Sequence, residues 1–387
     1  MSVERLYVDF HVIQTVPPSC VNRDDTGRPK TAVYGGAVRA RVSSQAWKHA
    51  MREMFKNKLG TVKTGYRTRK VEDLLVKEIK QLDPNLDARA LAKKAIEVAK
   101  KKKDDKDSKS EDKKAQKTKD DDKGRTKELR FLSGEQVKAW AQLVVKYHTD
   151  LEKDDVEKDA VKKYQAELTD ALKGNPSADM ALFGRMVADD PSLNYEAAAQ
   201  VAHSISTHAV QNEYDYYSAV DDLAANTGAG YLDTAEYNSS TLYRYATVNV
   251  MELVRTLGEK QKKQVDKKQV AEIVRAFAEA FIYSMPTGKQ NSYANRTLPD
   301  AVYVALREDQ PVNLCNAFEK PVPKSTAGYA KPSIAALKEE AKEIYSKWTD
   351  EPKQSFTVGT GLEELAQPMK CRDMLEALSK AVEKSLT

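Results

Sequence analysis

The chain has 387 residues, of which 41% are hydrophobic and 31% charged, and 63 Lys and Arg against 58 Asp and Glu give a formal net charge of +5. No apolar run approaches the roughly 20 residues of a membrane span, and Cys20, Cys315 and Cys371 are odd in number and far apart, which excludes a disulfide scaffold. The length predicts a larger domain with one or two subdomains; the reduced thiols and the charged N-terminal MSVERLYVDF, which lacks the apolar run of a secretory signal, predict a cytoplasmic protein.

Residues 6–13 alternate as a strand, with Leu6, Val8, Phe10 and Val12 on one face and Tyr7, Asp9 and His11 on the other. Pro17 and Pro18 are expected to end it, and His11 is expected on the sheet surface. Residues 19–42 read mostly as loop, with room for a hairpin arm within VYGGAVRARV, and Gly35 and Gly36 permit a backbone conformation or close approach that side chains would block. Ser43 and Ser44 offer N-cap oxygens to a helix over 44–58. On it Trp47, Met51, Met54 and Phe55 share one side, and Gln45, Lys48, Arg52 and Lys56 another.

Helical periodicity then runs from 71 to 82, stopped by Pro84, and again over 87–100. The segment 101–127 contains no branched aliphatic or aromatic side chain and is expected to be disordered, or at most a solvated helical extension. Ser133 and Gln136 form a capping box for the next helix; another helix covers 155–173, and Gly184 marks a bend inside the apolar run 177–188.

Residues 193–242 are ambiguous, because AAAQVAHSISTHAV fits a helix by its alanines and a strand by its alternation. DYYSAVDDLAANTGAGYL reads as a short helix and a glycine-rich turn. Strands are expected at 243–254 and 300–307, with short ones near 312–315 and 356–358. Helices are expected at 268–282, 332–348 and 371–384, and a loop at 286–296. Without the helical insertion the order approaches βαββαβ, the ferredoxin-like plan that RNA-recognition domains also use.

No metal or cofactor motif is present. The five histidines, His11, His49, His148, His203 and His208, lack ligand spacing, and there is no CxxC or HExxH. TGKQNS at 287–292 lacks the upstream glycine of a phosphate loop and carries Gln290 where Ser or Thr belongs. Asp215, Asp221 and Asp222 are the acids to weigh for Mg²⁺, although an adjacent Asp pair more often caps a turn. The stronger signal is for nucleic acid: Asn22, Arg23, Lys30, Arg39, Arg41, Lys48 and Arg52 fall in one short region suited to backbone-positioning contacts. Lys289, Gln290 and Asn291 supply a second set of donors, and Phe183, Met186, Tyr214, Tyr216 and Tyr217 are candidates to stack or separate bases.

The strings SCVNRDD, YGG, RARVSSQAWKHAMR, ALFGRMVAD, YYSAVDDL, YRYATVNV and TGKQNSYANRTLPD are spread over almost the whole chain. Through them it resembles the Cas7-type backbone subunit of type I-E CRISPR surveillance complexes (the Cse4/CasC family). The resemblance implies an α+β protein: a modified ferredoxin-like, RRM-type palm with a helical finger insertion and a protruding thumb. The expected division is palm at 1–60, finger at 61–192 including 101–127, thumb at 193–240 with His203 and His208, and palm again at 241–387.

It further implies no catalytic activity. The implied role is to polymerise head to tail along a CRISPR RNA, beside other Cascade subunits, and to present the guide to target DNA. RNA contacts are implied at Asn22, Lys30, Lys48 and the segment Met180 to Met186, with a guide-kinking wedge between Tyr217 and Leu223. Two other readings stay open: a metal-dependent ribonuclease on the same fold, marked by Asp221 or Asp222 at the kink, and a structural subunit without nucleic acid.

Overall fold

The computed structural model describes residues 5–57, 64–100, 128–153, 156–188, 190–220, 222–223, 229–258 and 264–387; the expectation for 101–127 lies outside them. In chain order the elements are β1 (Tyr7–Ser19), β2 (Thr31–Tyr34), β3 (Ala37–Val42), α1 (Ser44–Asn57), β4 (Tyr66–Thr68), α2 (Val71–Leu82), α3 (Ala88–Lys100), β5 (Arg130–Leu132), α4 (Gly134–Lys146), α5 (His148–Leu151), α6 (Lys158–Lys173) and α7 (Ala178–Phe183). They continue with β6 (Ala199–Val201), β7 (Ser204–Ser206), β8 (Glu213–Val220), β9 (Ala229–Asn249), α8 (Val250–Leu257), α9 (Lys267–Tyr283), α10 (Gln290–Tyr293), β10 (Ala301–Arg307), α11 (Ala330–Lys347), β11 (Gln354–Gly359) and α12 (Cys371–Ser385). The chain divides into two compact units, Met1–Val62 with Ala198–Val254 and Val265–Thr387, and Lys63–Ala197 with Arg255–Gln264.

The first unit is built on one sheet of order β11-β10-β1-β9-β7-β3-β2, with β6 and β8 also pairing β9. Its centre, β10-β1-β9-β7, is antiparallel throughout, with Tyr7 opposite both Arg307 and Asn249. This is the strand order of the ferredoxin-like plan. The ambiguous segment resolves into strands because Ala199–Val201 and Ser204–Ser206 each bond to β9. Pro17 and Pro18 do not end β1; the pairing shifts register between Val16 and Ser19, which accommodates the missing donors. The strand expected to reach 254 stops at Asn249, whose side-chain oxygen accepts from the Glu252 N–H and starts α8. The segment expected as a strand near 312 instead forms a 3₁₀ turn, Leu314–Phe318.

Both faces of the sheet are covered. On one, Phe10 meets Phe277 and Phe281 of α9 at ring-centroid distances of 5.4 and 6.1 Å. Arg244 lies there with its guanidinium carbon 3.8 Å from the centre of the Trp47 ring of α1, and it donates to the carbonyl of Phe281. On the other face Ile13, Tyr243, Tyr245, Ala301 and Tyr303 pack with Leu314 and Phe318 of the turn and Ile334, Leu337 and Ala341 of α11. The face that RNA-recognition domains leave open for base stacking is thus closed. His11, expected on a surface, is fully buried there: its Nδ1 bonds the Tyr243 hydroxyl at 2.9 Å.

The second unit is mainly helical. Leu75 and Ile79 of α2, Ala92 and Ala95 of α3, Val137, Trp140 and Val144 of α4, and Leu168 of α6 share its core. The capping box at Ser133 and Gln136 forms as expected. Gly184 takes a φ of 78°, a left-handed conformation that ends α7. Arg185 is buried, donating to the carbonyls of Leu172 and Leu193 and to the Gln136 side chain, with its guanidinium 4.6 Å from the Tyr195 ring centre.

Two buried groups on β1 give opposing pH dependences. Burial pushes the Asp9 carboxyl up to about 6, against the lowering effect of the Val312 N–H and the Tyr245 hydroxyl, which both donate to it. Burial, with the Arg307 charge, pushes His11 down to about 3. Below about pH 6 the native Asp9 takes a proton that the unfolded carboxyl still lacks, so acidification stabilises the fold through Asp9. The unfolded imidazole takes a proton below its ordinary value while native His11 stays neutral, so acidification destabilises the fold through His11. Asp9→Asn should therefore lose stability on acidification from pH 6.5 to 4 more steeply than wild type, by up to about 1.4 kcal/mol per pH unit, and His11→Gln should show the reverse difference. Urea unfolding across that range measures both; parallel curves for wild type and Asp9→Asn would contradict the assignment.

Candidate nucleic-acid interface

The loop before β2 is closed by its own polar groups. Asp24 Oδ1 accepts from the N–H groups of Thr26 and Arg28 and from the Thr26 hydroxyl, at 2.8–2.9 Å. The Lys30 N–H donates to the Asn22 carbonyl, and Asn22 Oδ1 accepts from the Ser43 N–H, each at 2.9 Å. Asn22 therefore joins the loop to the start of α1, where Ser43 Oγ caps the helix by accepting from the Ala46 N–H. At the β2–β3 turn a Cβ on Gly35 would sit 1.7 Å from the Glu319 carbonyl oxygen, so only glycine fits without a backbone shift.

The structure distributes the expected contact residues over several surfaces. Arg39 is fully buried, and its guanidinium donates to the carbonyls of Tyr34, Ser206, Phe318 and Glu319. Those bonds make it part of the scaffold and correct its expected place at a ligand surface. On α1, Trp47, Met51 and Phe55 are buried and Trp47 Nε1 donates to Ser204 Oγ; Lys48 is half-buried, and Arg52 is buried. Since Ser204 lies opposite Val42, strand alternation puts Arg41, Ile205 and His203 on the sheet face away from α1. There Arg41 Nη1 bonds His203 Nδ1 at 3.1 Å, and Lys30 accepts the Arg41 N–H across the strands.

On the other side of the loop lies an open cleft of about 670 Å³, lined by Val21, Asn22, Arg23, Ala50, Ser284 and Arg296 among others. Gly288 also lines it, with no room for a side chain: a Cβ there would lie 2.2 Å from the Val21 carbonyl oxygen. Lys289, with φ 45°, then turns the chain into α10, which carries Gln290 and the exposed Asn291. This turn, the loop and the β8–β9 hairpin meet: Arg28 pairs with Glu236 at 2.8 Å and the Tyr293 and Tyr237 rings are 6.0 Å apart. Asp233 is held below the ordinary carboxylate range by the Thr234 N–H and the Tyr231 and Tyr217 hydroxyls, with a further contribution from Lys289.

The segment expected as a short helix and turn forms that hairpin instead, because Glu213–Val220 pairs along its length with β9. Every residue of β8 is exposed, as are Tyr231 and Leu232 of β9, and Leu223 is 96% exposed. Tyr217 and Tyr231 both donate to Asp233 Oδ2 at 3.0 Å. Asp222 is exposed, while Asp221 lies outside the described residues. His208 does not belong to the hairpin: it is buried, stacked 3.6 Å from the Tyr329 ring, with Nε2 accepting from the Thr241 N–H of the main sheet. In the second unit Met180 is fully buried with Phe131 and Tyr195, so it presents no surface; Phe183 is half-buried and Met186 is 86% exposed.

Among the described residues no group of three or more His, Cys, Asp or Glu is disposed to hold a metal ion, and no helix is long and apolar enough to cross a membrane. Sequence reading missed Arg296 and Tyr293, which reach the cleft and hairpin only through the fold, and it missed the pairing of His203 with Arg41. No local periodicity signals a contact between residues 162 positions apart.

The fold and surface define an α+β protein with a ferredoxin-like antiparallel core, cationic loops and an exposed aromatic hairpin, the class that the sequence strings implied. The chain belongs to the CT1975-like protein family, which it matches over residues 8–383. Its structure is similar to a chain of a CRISPR RNA-guided surveillance complex in a pre-nicking state, with a TM-score of 0.78, 31% identity and coverage of 97% of this chain and 100% of that one. It is also similar to a chain of a second CRISPR RNA-guided surveillance complex, with a TM-score of 0.69, 27% identity and coverage of 97% and 99%. No curated protein sequence matches.

Gly288→Ala should force the cleft wall apart, because the added Cβ meets backbone and not a movable side-chain end. The expected outcome is a loss of about 1–3 kcal/mol of stability, the range of overpacking; unchanged thermal unfolding would show that the wall yields freely.

Proposed function

We propose that this chain is the RNA-binding backbone subunit of a CRISPR surveillance complex, holding a guide RNA for pairing with target DNA. The observation that carries the reading is the likeness, at 31% identity and over the full length of the matched chain, to a component of such a complex. The sheet of the first unit serves as the palm, the helical unit Lys63–Ala197 as the finger, and the β8–β9 hairpin as the thumb. Copies of the chain follow one another head to tail along the guide, a heterologous repeat that extends without closing, and other subunits of the complex join the assembly.

In this reading Asn22, Arg23, Lys30, Arg41 and Lys48, with Lys289, Gln290 and Asn291, hold the sugar–phosphate chain. Met186, Phe183 and the hairpin residues Tyr217 and Leu223 separate bases. Arg39, Met180 and His208 support the fold, and the role proposed for Arg52 is to anchor α1. A backbone subunit must accept any guide sequence, so phosphate contacts fit its task and base pairing supplies recognition. The subunit works as a scaffold without catalysis of its own.

Purifying the native assembly and sequencing its RNA tests the reading; an assembly free of RNA would sink it. Lys48→Ala should lower RNA affinity and reduce the slope of log affinity against log salt by about one per contacting copy. An unchanged salt titration would remove Lys48 from the contact set.

A further inference from the structure

We infer that Lys30, Arg41 and His203 form one phosphodiester seat on the sheet face away from α1, in which His203 acts as a neutral hydrogen-bond donor. The assignment rests on the RNA-binding reading above and adds a ligand group to it. Lys30 and Arg41 face each other across the start of the β2–β3 pairing, with the Arg41 N–H bonded to the Lys30 carbonyl at 2.9 Å. Residues directly opposite in an antiparallel pair project their side chains to one side. Arg41 is fixed at two points, by Nε to the Thr31 carbonyl at 3.1 Å and by Nη1 to His203 Nδ1 at 3.1 Å. Neither its Nη2 nor Lys30 Nζ has a partner among the described residues.

A guanidinium only donates. His203 Nδ1 must therefore accept, which puts the ring proton on Nε2 and leaves the imidazole uncharged. Partial burial, then the Arg41 and Lys30 charges, hold its proton affinity below the ordinary value, so the neutral form persists at physiological pH. His203 itself is exposed. The cluster thus offers two cations and one neutral N–H on a single exposed face. A phosphodiester satisfies that set, since it accepts several hydrogen bonds while carrying one negative charge. A carboxylate-bearing protein surface is the competing ligand, and the salt and RNA dependence below separates the two.

The decisive experiment titrates a fluorescein-labelled oligouridylate into the full-length protein over a series of salt concentrations. The proteins compared are wild type, Arg41→Gln, His203→Ala and His203→Gln, with thermal unfolding as a folding control. Arg41→Gln should weaken binding and lower the salt slope by about one per site. His203→Ala should weaken binding by about tenfold, the size of one hydrogen bond to a charged acceptor, without changing the slope, because a neutral donor releases no counterion. His203→Gln keeps an acceptor for Arg41 and a donor for phosphate, and should bind as wild type does.

If wild type binds and His203→Ala matches it, the seat is overturned while the RNA-binding reading stands. If His203→Ala lowers the slope as well, the neutral-donor role is overturned. If wild type fails to bind RNA at all, the fault lies in the underlying reading.

Discussion

One strand carries both the core and the projecting hairpin. Residues 242–248 of β9 are buried on both faces, bonded to β1 on one side and to β6 and β7 on the other, whereas residues 231–234 are exposed and pair only with β8. A single run of backbone hydrogen bonds therefore sets the register of the central sheet and the direction in which the hairpin leaves it. A one-residue slip would turn every buried side chain of the inner half to the opposite face, so the packing of Arg244 against Trp47 and of Tyr243 and Tyr245 against α11 also holds the hairpin in place.

Cations in this chain do two kinds of work, and their surroundings separate them. Arg39, Arg185 and Arg244 are buried and donate to backbone carbonyls and amide side chains, which ties distant segments together. Burying a guanidinium is costly, and these bonds offset much of that cost, although Arg244 Nε stays without a hydrogen-bond partner. Arg23, Lys30, Arg41 and Lys289 sit in loops or at strand ends, close to the positions where the chain is pinned by Asn22, Gly35 and Gly288. In the proposed reading the pinning favours binding, because loops that are already ordered lose less freedom when a ligand settles on them.

The closed second face of the sheet changes how such a domain can hold single-stranded RNA. In an open four-strand sheet, aromatic side chains on the strands stack the bases. Here Tyr243, Tyr303 and His11 are covered by α11 and the Leu314–Phe318 turn. The exposed aromatics lie instead on the hairpin, at Tyr214, Tyr216, Tyr217 and Tyr231. In the proposed reading, loops that grip phosphates and a projecting ribbon that meets bases would leave the bases themselves available for pairing.

Local pattern alone determined the helices with strong apolar stripes, such as α2 and α9, the capping box at Ser133, the strands β1 and β10, and the concentration of cations and amides near the N-terminus. The strings through which the chain resembles the Cas7-type family also pointed to it. The local features are ones in which each residue's neighbours in sequence are its neighbours in space. Tertiary structure decided the rest: that Ala199–Val201 and Ser204–Ser206 are strands, that Glu213–Val220 pairs and does not coil, that His11, Arg39, Met180 and His208 are interior, and that Arg41 meets His203. A strand acquires its bonds from a partner far along the chain, and a charged or polar side chain is buried only when distant groups converge to satisfy it. Neither fact is written in the few residues on either side.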